Sequence, residues 1–588
     1  MPKKEKKEKK EKIVKKTSPS VDVMAEYSMD DLQRLWKEGD KNGNGSLSKK
    51  EIKSILRRIG IQLRDKDAVS RFKAVAEGKK ELDFDQFMSL VENLERRPEI
   101  EEIFNKINEG KPISLEQFKK WLIEEQHEQN VTDEMIQEIK TNLKIGAAET
   151  ISLDVFNRFV GSADMNGPLD KKHETVYQDL TQPYTHYFIA SSHNTYLEGD
   201  QLKGKSSVNA YRSALERGCR CVELDCWDPP SDAEVDEPII YHGFTLTSRI
   251  LFKDVIACIR DYAFKTTPFP LILSIENHCS KKYQRIMAKH MSTILKEFLP
   301  DPFFKTKPDV LPSPEDLKFK ILIKAKQAKN FKWTEKVEIT DAKPKSSKKQ
   351  KSKTNQIEAE LSSDGEASTD DDSLSSDEPL KGPDGKIVKP PKIASALSRL
   401  VHLCAVHFES VDKPFGAWQM SSFAEAKLKK LITKNGDKWA KYHTRQLARI
   451  YPAGTRVTSS NYDPVPAWNH GAQIVALNYQ TFDKPMWFND ALFKDNGASG
   501  YVLKPYDLRG LSGEEAAPAA TPDQTLKITV ISAFKLPQSS MEIPDPFVKI
   551  EVRGIDEDCR KARTKVKKDS PYHAVYNQSF TFRIRRPD

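Results

Sequence analysis

Four short apolar segments between residues 187 and 279 decide the fold of this chain, and each of them ends in polar residues. They read YFIASSHN (187–194), CRCVELD (219–225), PIIYHG (238–243) and PLILSIEN (270–277). Short apolar segments that alternate with helical segments are typical of βαβ units and a parallel sheet. In a (β/α)8 barrel of the TIM type, functional residues collect at the carboxyl ends of the strands. The pattern therefore predicts such a barrel with a site at these segment ends.

The polar residues at those ends suit a bound cation together with acid–base chemistry. The oxygen ligands among them are Asn194, Glu223, Asp225 and Glu276. A purely oxygen ligand set favours a hard cation, calcium or magnesium, over zinc. His193 and His242 then remain for proton transfer or charge stabilisation. The alternative interpretation, six unrelated polar residues at loop starts, does not explain why they recur at consecutive segment ends.

Strand parity sharpens this prediction for the second segment. Side chains two residues apart on a strand point to the same face. Cys219, Cys221, Glu223 and Asp225 should therefore share one face. If that face is the barrel interior, both carboxylates point into the mouth.

Four later segments complete the predicted barrel. They are LKFKILIKAK (317–326), the region from Leu397 to Phe408, the segment 447–451 and QIVALNY (473–479). Lys324 and Lys326 share a strand face, which indicates a polyanionic ligand, although a solvated lysine pair at a strand end is the alternative. Arg449 and Tyr451 also share a face, where an arginine can grip phosphate with two hydrogen bonds.

Length and composition set the outer limits. The 588 residues allow three or four domains, and the net charge is +9. No apolar run approaches the ~20 residues that cross a bilayer, and the lysine-rich start lacks the apolar core of a signal peptide. Seven scattered cysteines do not form a disulfide framework. We expect a cytoplasmic protein that contacts membranes only peripherally.

The amino-terminal part predicts a basic tail and an EF-hand region, over residues 1–22 and 23–165. The tail reads as disordered, with weak attraction to an anionic membrane or nuclear targeting as alternatives. DKNGNGSLSKKE (40–51) matches an EF-hand loop with Gly45 at its turn. Its predicted calcium ligands are Asp40, Asn42, Asn44, the Ser46 carbonyl and Glu51. Because only two of these are charged, we expect weak calcium binding.

Three segments echo the end of this loop and the helix that follows it: LDFDQFMSLV (82–91), ISLEQFKKWL (113–122) and ISLDVFNRFV (151–160). Gln86, Gln117 and Val155 stand where the last calcium ligand belongs. These hands are therefore predicted to be degenerate, and the four form two paired lobes.

The rest of the chain divides into four parts. Residues 178–330 and 393–506 are the two halves of the barrel, and residues 331–392 between them form a highly charged, disordered linker. Residues 524–588 alternate with a period of two and predict part of an antiparallel sandwich.

The motifs resemble those of eukaryotic phosphoinositide-specific phospholipase C. SSHNTYL, CRCVELDCWD, YHGFTLTS and LSIENHCS look like its X box. SSFAEAK, ARIYPAGTRVTSSNYDPVPAWNHGAQIVALNYQT and DNGASGYVLKP look like its Y box, and the last segment looks like the first half of a C2 domain. The resemblance covers most of residues 25–588. It is closest to the delta type and to zeta, which lacks a pleckstrin domain.

This resemblance implies calcium-dependent hydrolysis of phosphatidylinositol 4,5-bisphosphate to inositol 1,4,5-trisphosphate and diacylglycerol. It implies that Asn194, Glu223, Asp225 and Glu276 hold calcium and that Glu223 or Asp225 is the base. His242 is implied as the acid for the leaving oxygen, and His193 as the group that stabilises charge on phosphorus. The implied contacts of the inositol ring and its phosphates are Lys324, Lys326, Ser422, Arg449 and Tyr451.

The family's apolar membrane rim is implied at Leu202, Phe244 and Leu246. Thr455 and Lys429 stand where the delta type has apolar residues, so the membrane contact here is expected to be shallower and more electrostatic. The expected partner is a membrane surface that contains phosphoinositides. A monomer is expected, with no nucleic-acid partner, and the sequence does not indicate an upstream activator.

Three other functions compete with this interpretation. A catalytically silent scaffold of the same fold is disfavoured because both histidines and all four cation ligands are present. A glycerophosphodiester phosphodiesterase is disfavoured by the lysine pair, the Y box and the EF-hands. A calcium buffer is disfavoured because only one hand is complete.

Overall fold

The computed structural model describes most of the chain. The described residues are 29–59, 61, 65–128, 131–146, 149–167, 171–300, 309–329, 331, 392–413, 415–510, 523–536, 545–568, 570 and 572–585. The predicted basic tail and nearly all of the predicted linker lie outside these residues. The chain divides into two compact units. One comprises Met1–Pro168 with Pro522–Pro587, and the other is centred on Leu169–Thr521.

Among the described residues before the barrel, the first unit has eight helices and four two-residue strands. The helices are α1 (Met29–Gly39), α2 (Lys49–Arg58), α3 (Asp65–Ala76), α4 (Phe84–Glu95), α5 (Pro98–Asn108), α6 (Leu115–Glu124), α7 (Asp133–Asn142) and α8 (Leu153–Gly161). The strands are β1 (Leu47–Ser48), β2 (Glu81–Leu82), β3 (Ile113–Ser114) and β4 (Thr150–Ile151). β1 pairs antiparallel with β2, and β3 with β4. The predicted pair of lobes is confirmed.

The second unit is a closed parallel barrel of eight strands. They are β5 (Tyr187–Ser192), β6 (Cys221–Trp227), β9 (Leu271–Asn277), β10 (Ile321–Ala325), β11 (Leu403–Ala405), β12 (Gln419–Ala424), β13 (Leu447–Tyr451) and β14 (Ile474–Leu477). Each pairs in parallel with the next, and β5 pairs with both β14 and β6, which closes the barrel. An antiparallel strand, β15 (Tyr501–Leu503), also pairs with β5.

In the part of the barrel unit that the structure describes, seven α-helices cover or extend the barrel. They are α9 (Val208–Glu216), α10 (Phe252–Tyr262), α11 (Lys281–Ile294), α12 (Ser395–Ser398), α13 (Glu425–His443), α14 (Val465–Asn469) and α15 (Lys484–Lys494). One cluster of buried apolar side chains collects residues from several barrel strands, such as Ile189, Cys221 and Ile272. Two further clusters pack strands against helices, one toward each half of the barrel. The barrel is therefore filled below its mouth, and polar groups are left for the strand ends.

One predicted barrel strand is wrong, and one barrel strand was not predicted. The predicted number of eight strands is therefore still right. PIIYHG is not a barrel strand, because Ile239–Ile240 (β7) pairs antiparallel with β6 and with Ile250–Leu251 (β8). The connection from β6 to β7 is too short for the crossover that a parallel strand requires. In contrast, β12 is a barrel strand that the sequence analysis did not assign. Its sequence, QMSSFA, carries little apolar signal.

The parity argument was also wrong at its first residue. Cys219 lies before β6 begins and packs in the strand–helix cluster, whereas Cys221 packs in the cluster inside the barrel. Gly218 precedes it with a φ of +80°, so the chain is still turning into the strand. Glu223 and Asp225 lie within the strand, and for them parity holds.

The carboxyl-terminal residues add two antiparallel strand pairs to the first unit. Strands β16 (Gln524–Phe534) and β19 (His573–Ile584) form one pair. The other pair is β17 (Lys549–Val552) with β18 (Arg560–Arg563). Tyr572 is buried in the apolar core of the first EF-hand lobe, so the strands and the lobes pack as one unit.

The described residues contain no candidate for a membrane-spanning helix. No helix within the described ranges combines the length and the apolarity needed to cross a bilayer.

Candidate active site

Three carboxylates meet at the mouth of the barrel. Glu223 and Asp225 come from β6 and Glu276 from the adjacent strand β9, where it pairs in register with Asp225. One oxygen from each of the three lies within 4.8 Å of the others. Glu223 and Asp225 are buried, and Glu276 is half-buried. The predicted convergence of these residues is confirmed by the geometry, and it creates a pocket of concentrated negative charge.

The electrostatics of this cluster fit a divalent cation. Burial, together with the facing carboxylates of Glu276 and Glu223, raises the pKa of Asp225 well above its usual value. Its Oδ1 is buried and has no hydrogen-bond partner among the described residues, while its Oδ2 accepts from the Tyr196 hydroxyl at 2.6 Å. An unpaired carboxylate oxygen is costly to bury, and a hard cation would satisfy it.

Glu276 is held in its charged form, and Glu223 is held by two hydrogen bonds on one oxygen. Burial alone would raise the pKa of Glu276, but the hydrogen bond from His278 and the nearby charges of Lys324 and Arg449 lower it. The His278 Nε2 lies 3.0 Å from Glu276 Oε1. Glu223 Oε2 accepts from the Arg449 Nη2 at 2.7 Å and from the Asn194 backbone N–H at 2.8 Å. Both bonds fall on one oxygen, which leaves Oε1 of Glu223 for a ligand.

A chain of three side-chain amides orients the fourth predicted ligand. Asn194 Nδ2 donates to Gln201 Oε1 at 2.8 Å, and this turns Asn194 Oδ1 away from Gln201. Gln201 Nε2 in turn donates to Ser459 Oγ at 2.8 Å and to Asn478 Oδ1 at 3.3 Å. Sequence analysis missed Gln201, Ser459 and Asn478. No motif links them, because two of them lie more than 250 residues from Gln201.

The two predicted histidines are fixed through the same network. His193 Nδ1 lies 2.9 Å from Asn478 Oδ1, and His242 Nδ1 lies 2.6 Å from the backbone carbonyl of Gln201. Each Nδ1 therefore donates its proton, and the Nε2 atom of each ring is left for the substrate. Burial lowers the pKa of His193. Although His242 does not follow a barrel strand, the β7–β8 extension places it at the mouth.

Beside the acids, the mouth also carries a basic wall. Lys324 is buried and donates to Ser274 Oγ at 3.3 Å, and burial together with Arg449 lowers its pKa to about 8. Ser422 of β12 pairs in register with Arg449 of β13. The Ser422 hydroxyl is buried without a hydrogen-bond partner among the described residues. This combination of cations and an available hydroxyl suits a phosphorylated ligand.

Two further predicted contacts frame this wall. Tyr451, at the end of β13, lies parallel to the His193 ring, with 6.4 Å between ring centroids and 5° between planes. The Arg449 guanidinium lies 5.9 Å from the centroid of the same tyrosine ring. Lys326 follows the end of β10 and is half-buried.

The predicted apolar rim is exposed, and its parts lie together. Leu202, Phe244 and Leu246 are 48%, 42% and 79% exposed. The Leu246 backbone N–H donates to the Leu202 carbonyl at 2.9 Å. Phe244 packs edge-on against Trp227, with ring centroids 5.2 Å apart. These side chains form one apolar edge beside His242.

The EF-hand loop of the first unit is well formed. Asp40 accepts backbone N–H bonds from Gly43 at 2.7 Å and from Gly45 at 2.9 Å. Glu51 Oε2 accepts from the Ser48 hydroxyl at 2.7 Å, and this bond lowers the pKa of Glu51. Asn42 and Ser46 lie within the same turn, while Asn44 Nδ2 reaches across to Glu81 at 2.9 Å. In the degenerate hands, Gln86 and Gln117 take the place of Glu51 in the same capping box.

Comparison with known families agrees with this geometry. The family description "Phosphatidylinositol-specific phospholipase C, X domain" matches residues 180–327, and the corresponding Y domain matches residues 397–507. A C2 domain matches residues 524–588. The EF-hand-like region of phosphoinositide-specific phospholipase C matches residues 90–166.

Individual relatives extend the match over nearly the whole chain. The delta-4 1-phosphatidylinositol 4,5-bisphosphate phosphodiesterase of Homo sapiens is 38% identical over 586 residues, which cover 95% of this chain and 74% of that protein. The delta-3 protein of Mus musculus is 35% identical over 93% of this chain and 68% of its own length. The crystal structure of PLC21 from L. pealei has a TM-score of 0.67 and 32% identity, and the match covers 93% of this chain and 69% of that one.

The fold and the site define a (β/α)8-barrel enzyme, with an acidic pocket that could hold a metal ion facing two histidines and a basic wall. The chain belongs to the phosphoinositide-specific phospholipase C family and is a phosphoinositide phospholipase C. It is similar to the delta isoforms over most of its length.

Proposed function

We propose that this enzyme hydrolyses phosphatidylinositol 4,5-bisphosphate at a membrane surface in a calcium-dependent reaction. The products are inositol 1,4,5-trisphosphate and diacylglycerol, both intracellular signals. The observation that carries the proposal is the meeting of Glu223, Asp225 and Glu276 opposite two histidines whose Nε2 atoms are available. We further propose that the protein works from the cytoplasm and binds the membrane peripherally.

Calcium is the proposed cofactor, held by Glu223, Asp225, Glu276 and the amide oxygen of Asn194. When bound, it lowers the pKa of the inositol 2-hydroxyl and offsets the negative charge that develops at phosphorus. The residues fit this ion because all their donor atoms are oxygens and because Asp225 Oδ1 is a buried acceptor without a partner.

Proton transfer is assigned to Glu223 and His242. Glu223, or Asp225 beside it, takes the proton from the 2-hydroxyl as that oxygen attacks the phosphodiester. His242 keeps its Nδ1 proton on the Gln201 carbonyl. In its protonated form it therefore donates from Nε2 to the leaving glycerol oxygen. The neutral Nε2 then accepts a proton from the water that opens the cyclic phosphate.

The other groups bind and stabilise charge. His193, with its Nδ1 held by Asn478, donates from Nε2 to a phosphoryl oxygen when protonated, and the negative charge of that phosphate favours protonation. The ring phosphates are assigned to Lys324, Lys326, Ser422 and Arg449, and the ring face to Tyr451. Because two of the four phosphate contacts are buried cations, this wall favours the bisphosphate over unphosphorylated phosphatidylinositol.

The test is the release of inositol trisphosphate from mixed vesicles across a series of free calcium concentrations. We expect His242→Ala to reduce turnover by about 10²- to 10⁴-fold, the usual contribution of a positioned acid–base group. His290→Ala is the matched control, because His290 lies on α11 outside the site. Its Nε2 lies 2.7 Å from Glu237 Oε2. A His242 variant as active as the control contradicts the mechanism. Turnover that does not depend on calcium contradicts the cofactor.

A further inference from the structure

A cavity of about 600 Å³ opens beside the active site, and neither the mechanism nor the apolar rim uses it. It lies between the start of α13 and the loop that follows β13. Its polar lining comes from Glu425, Lys429, Thr455, Arg456, Thr458 and Ser460. This volume is within the range of small-molecule sites, and the lining is richer in hydroxyl and cationic groups than an ordinary apolar pocket.

The charge that the cavity offers to a ligand is positive. Glu425 is neutralised by Arg456, whose Nη2 lies 2.8 Å from Glu425 Oε2, and by the Ala453 backbone N–H at 2.8 Å. Arg456 also donates to Ser460 Oγ at 3.3 Å, so its donors are largely engaged. Lys429 is exposed and has no ion-pair partner among the described residues. One available ammonium group and several hydroxyls suit a phosphate group.

The position of the cavity identifies the source of that phosphate. Val457, which lines the cavity and is 40% exposed, accepts a hydrogen bond at its carbonyl from the Gln201 backbone N–H at 2.8 Å. Gln201 immediately precedes Leu202 of the apolar rim. The cavity therefore borders the edge of the mouth that is proposed to meet the membrane. A membrane lipid can reach this edge from the bilayer.

We propose that this cavity binds the phosphate head group of an anionic phospholipid, a second lipid beside the substrate. Lys429 and Thr455, which line the cavity, stand where the delta type has apolar residues according to the resemblance. The enzyme thereby exchanges part of an apolar membrane contact for recognition of a lipid head group. The inference rests on the proposed membrane function, and it adds a lipid site that is distinct from the substrate site.

The experiment measures turnover on phosphatidylcholine vesicles with a fixed amount of substrate, with and without phosphatidylserine. Thr455→Trp fills the cavity without changing the charge, and Lys429→Ala removes its cation. Lys430→Ala is the matched control, since it removes an equally exposed lysine that does not line the cavity. We expect phosphatidylserine to stimulate the wild type and the control. The stimulation should fall about fivefold in the other two variants, the effect of one basic contact at an anionic surface.

Further arms separate the possible outcomes. If phosphatidylserine stimulates Thr455→Trp as much as the wild type, the proposal is overturned. If Lys429→Ala and Lys430→Ala lose the same amount of stimulation, general surface charge explains the effect, and the proposal is overturned as well. Inorganic phosphate that stimulates turnover on vesicles without phosphatidylserine, at constant ionic strength, also overturns it, in favour of a site for free phosphate. Hydrolysis of a water-soluble cyclic inositol phosphate tests the barrel chemistry by itself. If the wild type fails in that assay, the proposed function is wrong, and vesicle sedimentation of the same variants still tests the cavity.

Discussion

The buried carboxylates in the two units of this protein have opposite surroundings. In the barrel, three acids lie within 4.8 Å of one another, and Asp225 Oδ1 has no hydrogen-bond partner among the described residues. In the EF-hand unit, the buried acids Glu51 and Glu99 face hydrogen-bond donors instead of other acids, although Glu99 Oε2 has no partner among the described residues. Glu51 has the Ser48 hydroxyl and the Lys41 N–H, and Glu99 has Ser532 Oγ at 2.8 Å and His573 Nε2 at 3.0 Å.

The difference shows which acids need an ion and which do not. In the barrel, burial and then the like charges of Glu276 and Glu223 raise the pKa of Asp225, and a bound cation would relieve both effects. In the EF-hand unit, hydrogen bonds lower the pKa values of Glu51 and Glu99, so these carboxylates are stable without an ion. We therefore expect calcium to be essential in the barrel and dispensable in the loop.

The largest effect is expected from Glu276→Gln, which removes one charge from the barrel cluster and keeps the shape of the side chain. Turnover at low micromolar calcium should fall by about 10²- to 10³-fold, the usual loss when one group that stabilises transition-state charge is removed. Raising the calcium concentration should recover part of it. The check is the calcium dependence of inositol trisphosphate release. A variant with the wild-type calcium dependence contradicts the assignment of Glu276 as a ligand.

A smaller loss is expected from Gln201→Ala, because Gln201 positions Asn194 rather than touching the ion. Partners of metal ligands usually change metal affinity or activity by about 10- to 100-fold. Gln201→Glu is the informative companion, since its carboxylate still accepts from Asn194 Nδ2 but cannot donate to Ser459. It should restore part of the calcium affinity. If both variants raise KM for the lipid and leave the calcium midpoint unchanged, the residue acts on the rim instead.

The third prediction concerns the hydrogen bonds of Glu99 in the EF-hand unit and their effect on folding stability. Burial would raise the pKa of Glu99, but its hydrogen bonds lower it to about 2 from an ordinary 4.5. Because the folded-state pKa is the lower one, this stabilisation is present above pH 4.5 and is lost as the pH falls toward 2. At about 1.4 kcal/mol per pKa unit, the difference between 4.5 and about 2 corresponds to at most about 3–4 kcal/mol.

The measurement is thermal unfolding of wild type and Glu99→Gln at pH 7 and at pH 3. The variant should have the lower Tm at pH 7, and the gap should narrow at pH 3. A gap that stays constant across this range shows that the Glu99 charge is not the source of the stability.

The smallest effect is expected from Glu51→Gln. Glutamine can fill the same capping box, as Gln86 and Gln117 do in the degenerate hands. The first hand should keep its fold and lose calcium binding, and turnover should stay within about twofold, as for other substitutions of low structural cost. Calorimetric titration of calcium and the vesicle assay check the two parts. A large loss of turnover would reveal a catalytic role for this loop.

The candidate site could be predicted from sequence to the extent that its residues follow strands. Glu223 and Asp225 lie two apart on one strand, and Glu276 ends the neighbouring one, so local periodicity was sufficient to bring them together. His242 was expected to follow a barrel strand, but it follows an antiparallel extension, and its catalytic role stays a prediction. The strand β12 was not predicted, because its polar sequence lacks the apolar signal on which strand prediction depends.

The sequence by itself indicated the chemistry of this protein: two candidate histidines, four candidate oxygen ligands, a candidate basic wall and an EF-hand loop, each in a local pattern of a few residues. Only the tertiary structure decided which strands close the barrel, which amide holds the Asn194 side chain, and where the cavity beside the rim lies. The reason is the range of the forces involved. Strand period and loop spacing act between neighbours in sequence, whereas His193 meets Asn478 across 285 residues and does so only when the barrel has closed.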